Sequence, residues 1–173
     1  MREWIPVSTS PKGRLAIAAL TEFGTRPFDQ VTVGELASAA EVTTGALYHH
    51  FGSKLGLYTL VREDVERRLL DRMEGAIAAT APESDHSAAV TAALLVGFDF
   101  AVGEGFLHIL DDPPRGERDQ LAQMLSATAA VASPVLGRVL AAAWRAALAA
   151  VADGSEPKQA RSALLALDLR VPH

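Results

Sequence analysis

The residues whose types and spacing could do chemistry lie close together: Thr43-Thr44-Gly45-Ala46, then Tyr48 and His49, then Lys54. That chemistry is recognition rather than bond making. Two threonine hydroxyls can donate to base edges or phosphate, and their methyls can meet thymine methyls. Gly45 and Ala46 let a helix backbone come close to a partner. The adjacent pair His49-His50 suggests a metal, but neighbours on a helix diverge by about 100 degrees and cannot chelate together. Cysteine is absent, which removes thiolate metal sites, disulfides and cysteine nucleophiles. There is no glycine-rich phosphate loop and no two-histidine helix motif, and Asp111-Asp112 reads as a helix-breaking turn before Pro113. No catalytic residue, metal or cofactor is expected, and the chain is not read as an enzyme.

These residues need elements to hold them. Ser10-Pro11 is a hydroxyl cap followed by proline at the first helical position. It opens a helix with Leu15, Ala19 and Phe23 on one stripe, for which Gly24 is the natural stop. Phe28 follows as a core plug. Thr32-Val33-Gly34-Glu35 is a capping box that starts a short helix with Leu36, Ala37 and Ala40 inward. A second short helix begins at Thr43-Thr44, runs to about His50 and ends at Gly52. Ser53 caps a long fourth helix over 54–79. Its Leu57, Val61, Val65, Leu69 and Met73 face inward, and Glu63–Arg67 and Asp64–Arg68 lie four apart on the solvated face. After a turn at 81–85, helices are expected over 87–102, 115–132, 134–152 and 157–169, with a short apolar piece at 106–110. No strand pattern is present, so the fold class is all-α. Two short helices joined by a tight turn and braced by longer ones match the helix-turn-helix, whose second helix enters the major groove.

Charge neither supports nor opposes a nucleic-acid partner. The net charge is −5, yet residues 1–54 carry five basic and five acidic groups, so the excess lies beyond them. Affinity for DNA depends on which charges meet phosphate. No apolar run approaches the roughly 20 residues of a membrane helix; the longest, 88–103, is interrupted by Thr91 and Asp99. The N-terminus lacks a signal-peptide layout, so no membrane partner and a cytoplasmic location are expected.

Residues 10–61 resemble the DNA-binding domain of the TetR/AcrR family of repressors, on the run Val42-Thr43-Thr44-Gly45-Ala46-Leu47-Tyr48-His49-His50-Phe51-Gly52-Ser53-Lys54 followed by Leu57. Upstream, 28–33 with Leu36-Ala37 is similar to the family's entry to the second helix. The resemblance implies a helix-turn-helix domain over 1–54 and a helical ligand-binding and dimerisation domain over 55–173. It places Thr43, Thr44 and Gly45 at the tip of the recognition helix, Tyr48 and His49 at groove and phosphate positions, and Lys54 as a phosphate clamp. Thr32 would cap its helix and offer its backbone donor to phosphate, while Leu47 and Phe51 are core. Relatives often carry an acid directly after the lysine, where this chain has Leu55.

The resemblance further implies a homodimer bound to a double-stranded DNA operator and controlled by a small-molecule effector. The dimer would use the last two helices. On the first of these Leu136, Leu140, Trp144, Leu148 and Val151 form a stripe that serves either core or interface. Candidate pocket residues are Phe98, Phe100, Phe106, His108, Met124 and Trp144, with Asp99 as an anchor that needs a partner: arginine, a helix N-terminus or a cationic ligand. The segment 108–114 is similar to a break that some relatives carry between their sixth and seventh helices. The competing readings are a helical dimeric interaction module without DNA binding and a constitutive regulator without effector.

Overall fold

A computed structural model describes residues 9–81, 85–114, 119–129 and 133–167. All regular structure among them is helical: α1 (Pro11–Thr25), α2 (Val33–Ala39), α3 (Thr44–Phe51), α4 (Lys54–Ala78), α5 (His86–Gly103), α6 (Leu107–Leu110), α7 (Gln120–Thr128), α8 (Pro134–Ala152) and α9 (Pro157–Leu165), with a short 3-10 turn at Phe28–Gln30. The all-α reading stands.

Local capping sets most helix starts. Ser10 Oγ accepts from Gly13 N–H at 3.0 Å, Ser53 Oγ from Gly56 N–H at 2.9 Å, and Thr43 Oγ1 from Ala46 N–H at 3.3 Å. Gly52 ends α3 at φ 73°, a left-handed conformation that costs glycine nothing. Gly24 is not the stop of α1. The helix continues to Thr25, and Gly24 is buried inside it against Gly105. α7 begins only at Gln120, because Asp119 caps it by accepting from Ala122 N–H; 115–118 and 130–132 of the expected helix lie outside the described residues. α9 ends at Leu165, and 168–169 of its expected span are likewise outside.

The core is continuous along α4. Its Leu57, Val61, Leu69 and Met73 share one buried cluster with Leu15, Phe23, Leu36 and Leu47 of α1–α3 and with Leu94, Phe98, Trp144 and Leu148 of α5 and α8. Each such side chain contributes about 1.5–3 kcal/mol on burial. α4 also carries a correction. Arg67 pairs with Asp64 and not with Glu63, and Arg68 reaches the same carboxylate at 2.8 Å. Asp64 is buried, so this face is partly inside the molecule.

α5 and α8 are each long and apolar enough to cross a bilayer by length and composition. Here each packs one face into the core. Leu140, Trp144 and Leu148 are buried and Leu136 and Val151 half-buried against it, so the apolar stripe on α8 is core. The opposite face, Val135, Val139, Ala142 and Ala146, is exposed; Val135 and Val139 are 67% and 58% accessible.

Candidate nucleic-acid interface

α3 is held by one fully buried residue, Leu47, against the core of α1, α2 and α4. The residues expected at the tip of this helix point away from the core. Thr43, Thr44, Gly45, Tyr48 and His49 are all exposed, Tyr48 by 53%. The N–H groups of Thr44 and Gly45 stand in the first helical turn, where no intrahelical acceptor exists, so they add backbone donors to the hydroxyls. A Cβ built on Gly45 would meet nothing closer than Thr43 Oγ1 at 3.7 Å. Internal packing does not require glycine there. His49 and His50 touch edge to face at 5.0 Å, and no cluster of three metal-binding side chains occurs among the described residues.

Two residues expected to meet phosphate make bonds within the domain. The Thr32 backbone N–H and hydroxyl both donate to Glu35 Oε2 at 2.7 Å, while Glu35 N–H donates back to Thr32 Oγ1. These bonds from Thr32, with one from Arg26, lower the Glu35 carboxyl to about 2. The Thr32 donor is therefore satisfied by a carboxylate within the domain. Lys54 Nζ donates to the carbonyls of Phe28 at 2.9 Å and Val31 at 2.8 Å, and lies 4.0 Å from the centre of the Phe28 ring. Its charge clamps the chain ahead of α2. Sequence reasoning missed Arg14, whose guanidinium donates to the carbonyls of Ala40, Thr9 and Glu41. It missed Arg62 as well, which is buried and joins α4 to the carbonyls of Ile109 and Asp112 and to the Tyr58 hydroxyl. Acceptors some 26 to 50 residues away leave no local pattern.

The residues expected to line a pocket are packed or paired within the body. Phe98 and Trp144 are fully buried, and the Trp144 indole donates to the Leu94 carbonyl at 3.1 Å. Phe100 and Phe106 meet edge to face at 5.7 Å, with Arg72 over one ring and Arg68 near the other. Met124 is half-buried against the core. Asp99 finds its partner in the protein: Arg161 on α9 at 2.9 Å. His108 contacts Asp111 at 3.2 Å, and burial pushes that carboxyl up despite the histidine. None of these candidates lines the three clefts seen among the described residues. One, about 650 Å³, runs along the outer face of α8 past Val135, Val139 and Ala142 to Arg145 and Asp119. A second, about 430 Å³, lies between α7 and the start of α8, and a third, about 80 Å³, between α4 and Pro113-Pro114.

A tight turn between two short helices, an exposed polar tip on the second and a helical body on the same long brace define a helix-turn-helix protein. Residues 17–61 match the family described as bacterial regulatory proteins, tetR family. The chain is 31% identical over 126 residues to the HTH-type transcriptional activator FasR of Mycolicibacterium smegmatis (strain ATCC 700084 / mc(2)155). That alignment covers 72% of this chain and 56% of the relative, so the chain spans little more than half of that protein's length. Among solved structures, a TetR-like transcriptional regulator from Rhodococcus sp. RHA1 superposes with TM-score 0.67 at 20% identity, covering 89% of this chain and 91% of that one. A tetR-family regulator from Streptomyces coelicolor gives TM-score 0.58 at 20% identity over 89% and 77% of the two chains. Over residues 17–61 the chain matches the tetR family of bacterial regulatory proteins, and its fold is similar to that of the two solved regulators.

Proposed function

We propose that this protein is a sequence-specific, DNA-binding transcriptional regulator that presents Thr43, Thr44, Gly45, Tyr48 and His49 to an operator. The observation that carries the reading is the tip of α3: exposed hydroxyls, uncapped backbone donors and a glycine that internal packing does not demand. One such helix makes few contacts, so specific binding calls for a symmetric pair. The exposed apolar face of α8, Val135, Val139, Ala142 and Ala146, supports a homodimer. Repression by occupying the operator is the first reading of its action. Activation is the second, favoured by the name of the Mycolicibacterium smegmatis relative. Control by a small-molecule effector completes the proposal. Because Phe98, Phe106 and Trp144 fill the interior of the body, an effector entering there displaces packed side chains.

The test is selection of duplexes from a random library with the full chain, followed by binding to the selected site with and without a broad set of candidate effectors. A single palindromic motif is expected, with half-sites about one turn apart. Thr44→Ala should change base preference at one position per half-site, and Val139→Glu should yield monomers that bind far more weakly. No duplex retained, or a Thr44→Ala profile identical to the parent's, would sink the reading.

A further inference from the structure

Between Glu41 and Glu63 the chain carries no acidic residue, and α3 lies wholly inside that stretch. Its own ionisable side chains are Tyr48, His49 and His50, and all three are exposed. A helix turns about 100° per residue, so His49 stands about 200° round α3 from buried Leu47. It therefore holds the middle of the outward face, with Tyr48 and His50 to either side. The two imidazoles touch edge to face at 5.0 Å. They occupy the last turn of the helix, where the backbone dipole favours a cation.

α3 packs against α1, α2 and α4. The charged and titratable groups those helices bring are Lys12, Arg14 and Glu22 from α1, Glu35 from α2 with Glu41 behind it, and Lys54, Tyr58 and Arg62 from the N-terminal part of α4. Glu22 and Glu35 are bonded to Arg26. Arg14, Lys54 and Arg62 donate to backbone carbonyls, and the Tyr58 hydroxyl accepts from Arg62. Among the described residues, no carboxylate forms an ion pair with His49 or His50. The pair is thus a base without an acid of its own, at the centre of a surface offered to a polyanion. Histidine changes charge within the range of ordinary pH, and a nearby phosphate favours the cationic form. Two cations 5.0 Å apart repel each other, so the pair holds one proton more readily than two.

We infer that operator binding is proton-linked: as α3 meets the phosphates, the His49–His50 pair takes up about one proton per recognition helix, and affinity rises as the pH falls below neutrality. The inference rests on the reading of α3 as the DNA-contacting helix.

The experiment measures binding of the full chain to the selected operator duplex from about pH 8 to about pH 6 at fixed ionic strength, with the salt slope taken at both ends. Calorimetry in two buffers of different ionisation enthalpy counts the protons taken up. Expected are a gain of roughly ten-fold in affinity over that interval, net proton uptake, and a salt slope steeper by about one for each recognition helix bound. The double variant His49→Gln, His50→Gln keeps His86 and His108. It should lose the gain, the uptake and the steepening, each protein being compared with itself across the interval. Imidazole NMR of the parent, free and with the duplex, reads the same event residue by residue: His49 or His50 should gain charge on binding. Affinity that stays flat for a duplex the parent retains would overturn the linkage alone. So would a double variant as pH-dependent as the parent, or two imidazoles that keep their charge on binding. A parent that binds no duplex at any pH removes the DNA reading, and the proton linkage with it.

Discussion

Gly24 on α1 faces the carbonyl of Gly105, at the end of α5, so closely that a side-chain carbon at position 24 would overlap the oxygen. This contact, continued by Phe106, seats the helix-turn-helix against the body independently of α4. Gly24→Ala should therefore separate the two layers and cost about 1–3 kcal/mol, the range for overpacking. Thermal unfolding of the variant should show the loss. An unchanged midpoint would mean that α6 moves aside freely.

Gly45 gives the opposite expectation. Its surroundings are open, and alanine is the better helix former by about 1 kcal/mol. Gly45→Ala should raise the unfolding midpoint slightly while weakening operator binding, because on the proposed function the added methyl stands where the backbone would approach DNA. A variant more stable and equally tight would remove Gly45 from the interface.

Glu35 links the fold to pH. Its carboxyl, held by Thr32 and Arg26, titrates near 2 against an ordinary 4.5. A depressed pKa stabilises the folded state above the unfolded value, and that contribution drains away as pH falls from about 4.5 toward 2. Glu35→Gln should lower the unfolding midpoint at pH 6, and the difference from the parent should shrink as the pH approaches 2. A difference that stays constant over that interval would show that the capping box does not depend on charge.

Asp119 and Arg145 form a two-pronged pair at 2.7 and 2.9 Å between the start of α7 and buried α8. Burial pushes the Asp119 carboxyl up, but the bonds from Arg145 and Ala122 outweigh it and hold the group below its ordinary value. Asp119→Asn keeps the helix cap but removes the negative charge and one of the two oxygens that accept from the guanidinium. A loss of about 2–3 kcal/mol is expected, less than for a fully buried pair because Asp119 is partly solvated. Arg145→Met, which removes the charge with its partner still able to reach water, should cost less. Denaturant titration of the two variants checks the order.

Much of this was legible in the chain. Caps at Ser10, Thr32, Thr43, Ser53 and Ser133 act within three residues of themselves, so helix starts follow from local order. The exposed tip of α3 follows likewise, since Leu47 is its one fully buried side chain. The pocket was not legible. Phe98, Phe106 and Trp144 are large and apolar whether they line a cavity or fill a core, and only packing distinguishes the two.

By itself, then, the sequence determined the all-helical class, the starts of α1 to α4 and the residues offered at the tip of α3, because hydrogen bonds between near neighbours and helical periodicity suffice for these. Tertiary structure alone decided that Lys54 and Arg14 grip backbone carbonyls around α2, that Asp99 belongs to Arg161, and which face of α8 stays exposed. The reason is physical: a long cationic side chain takes whichever acceptor the fold brings within reach, and those acceptors come from elements far away along the chain.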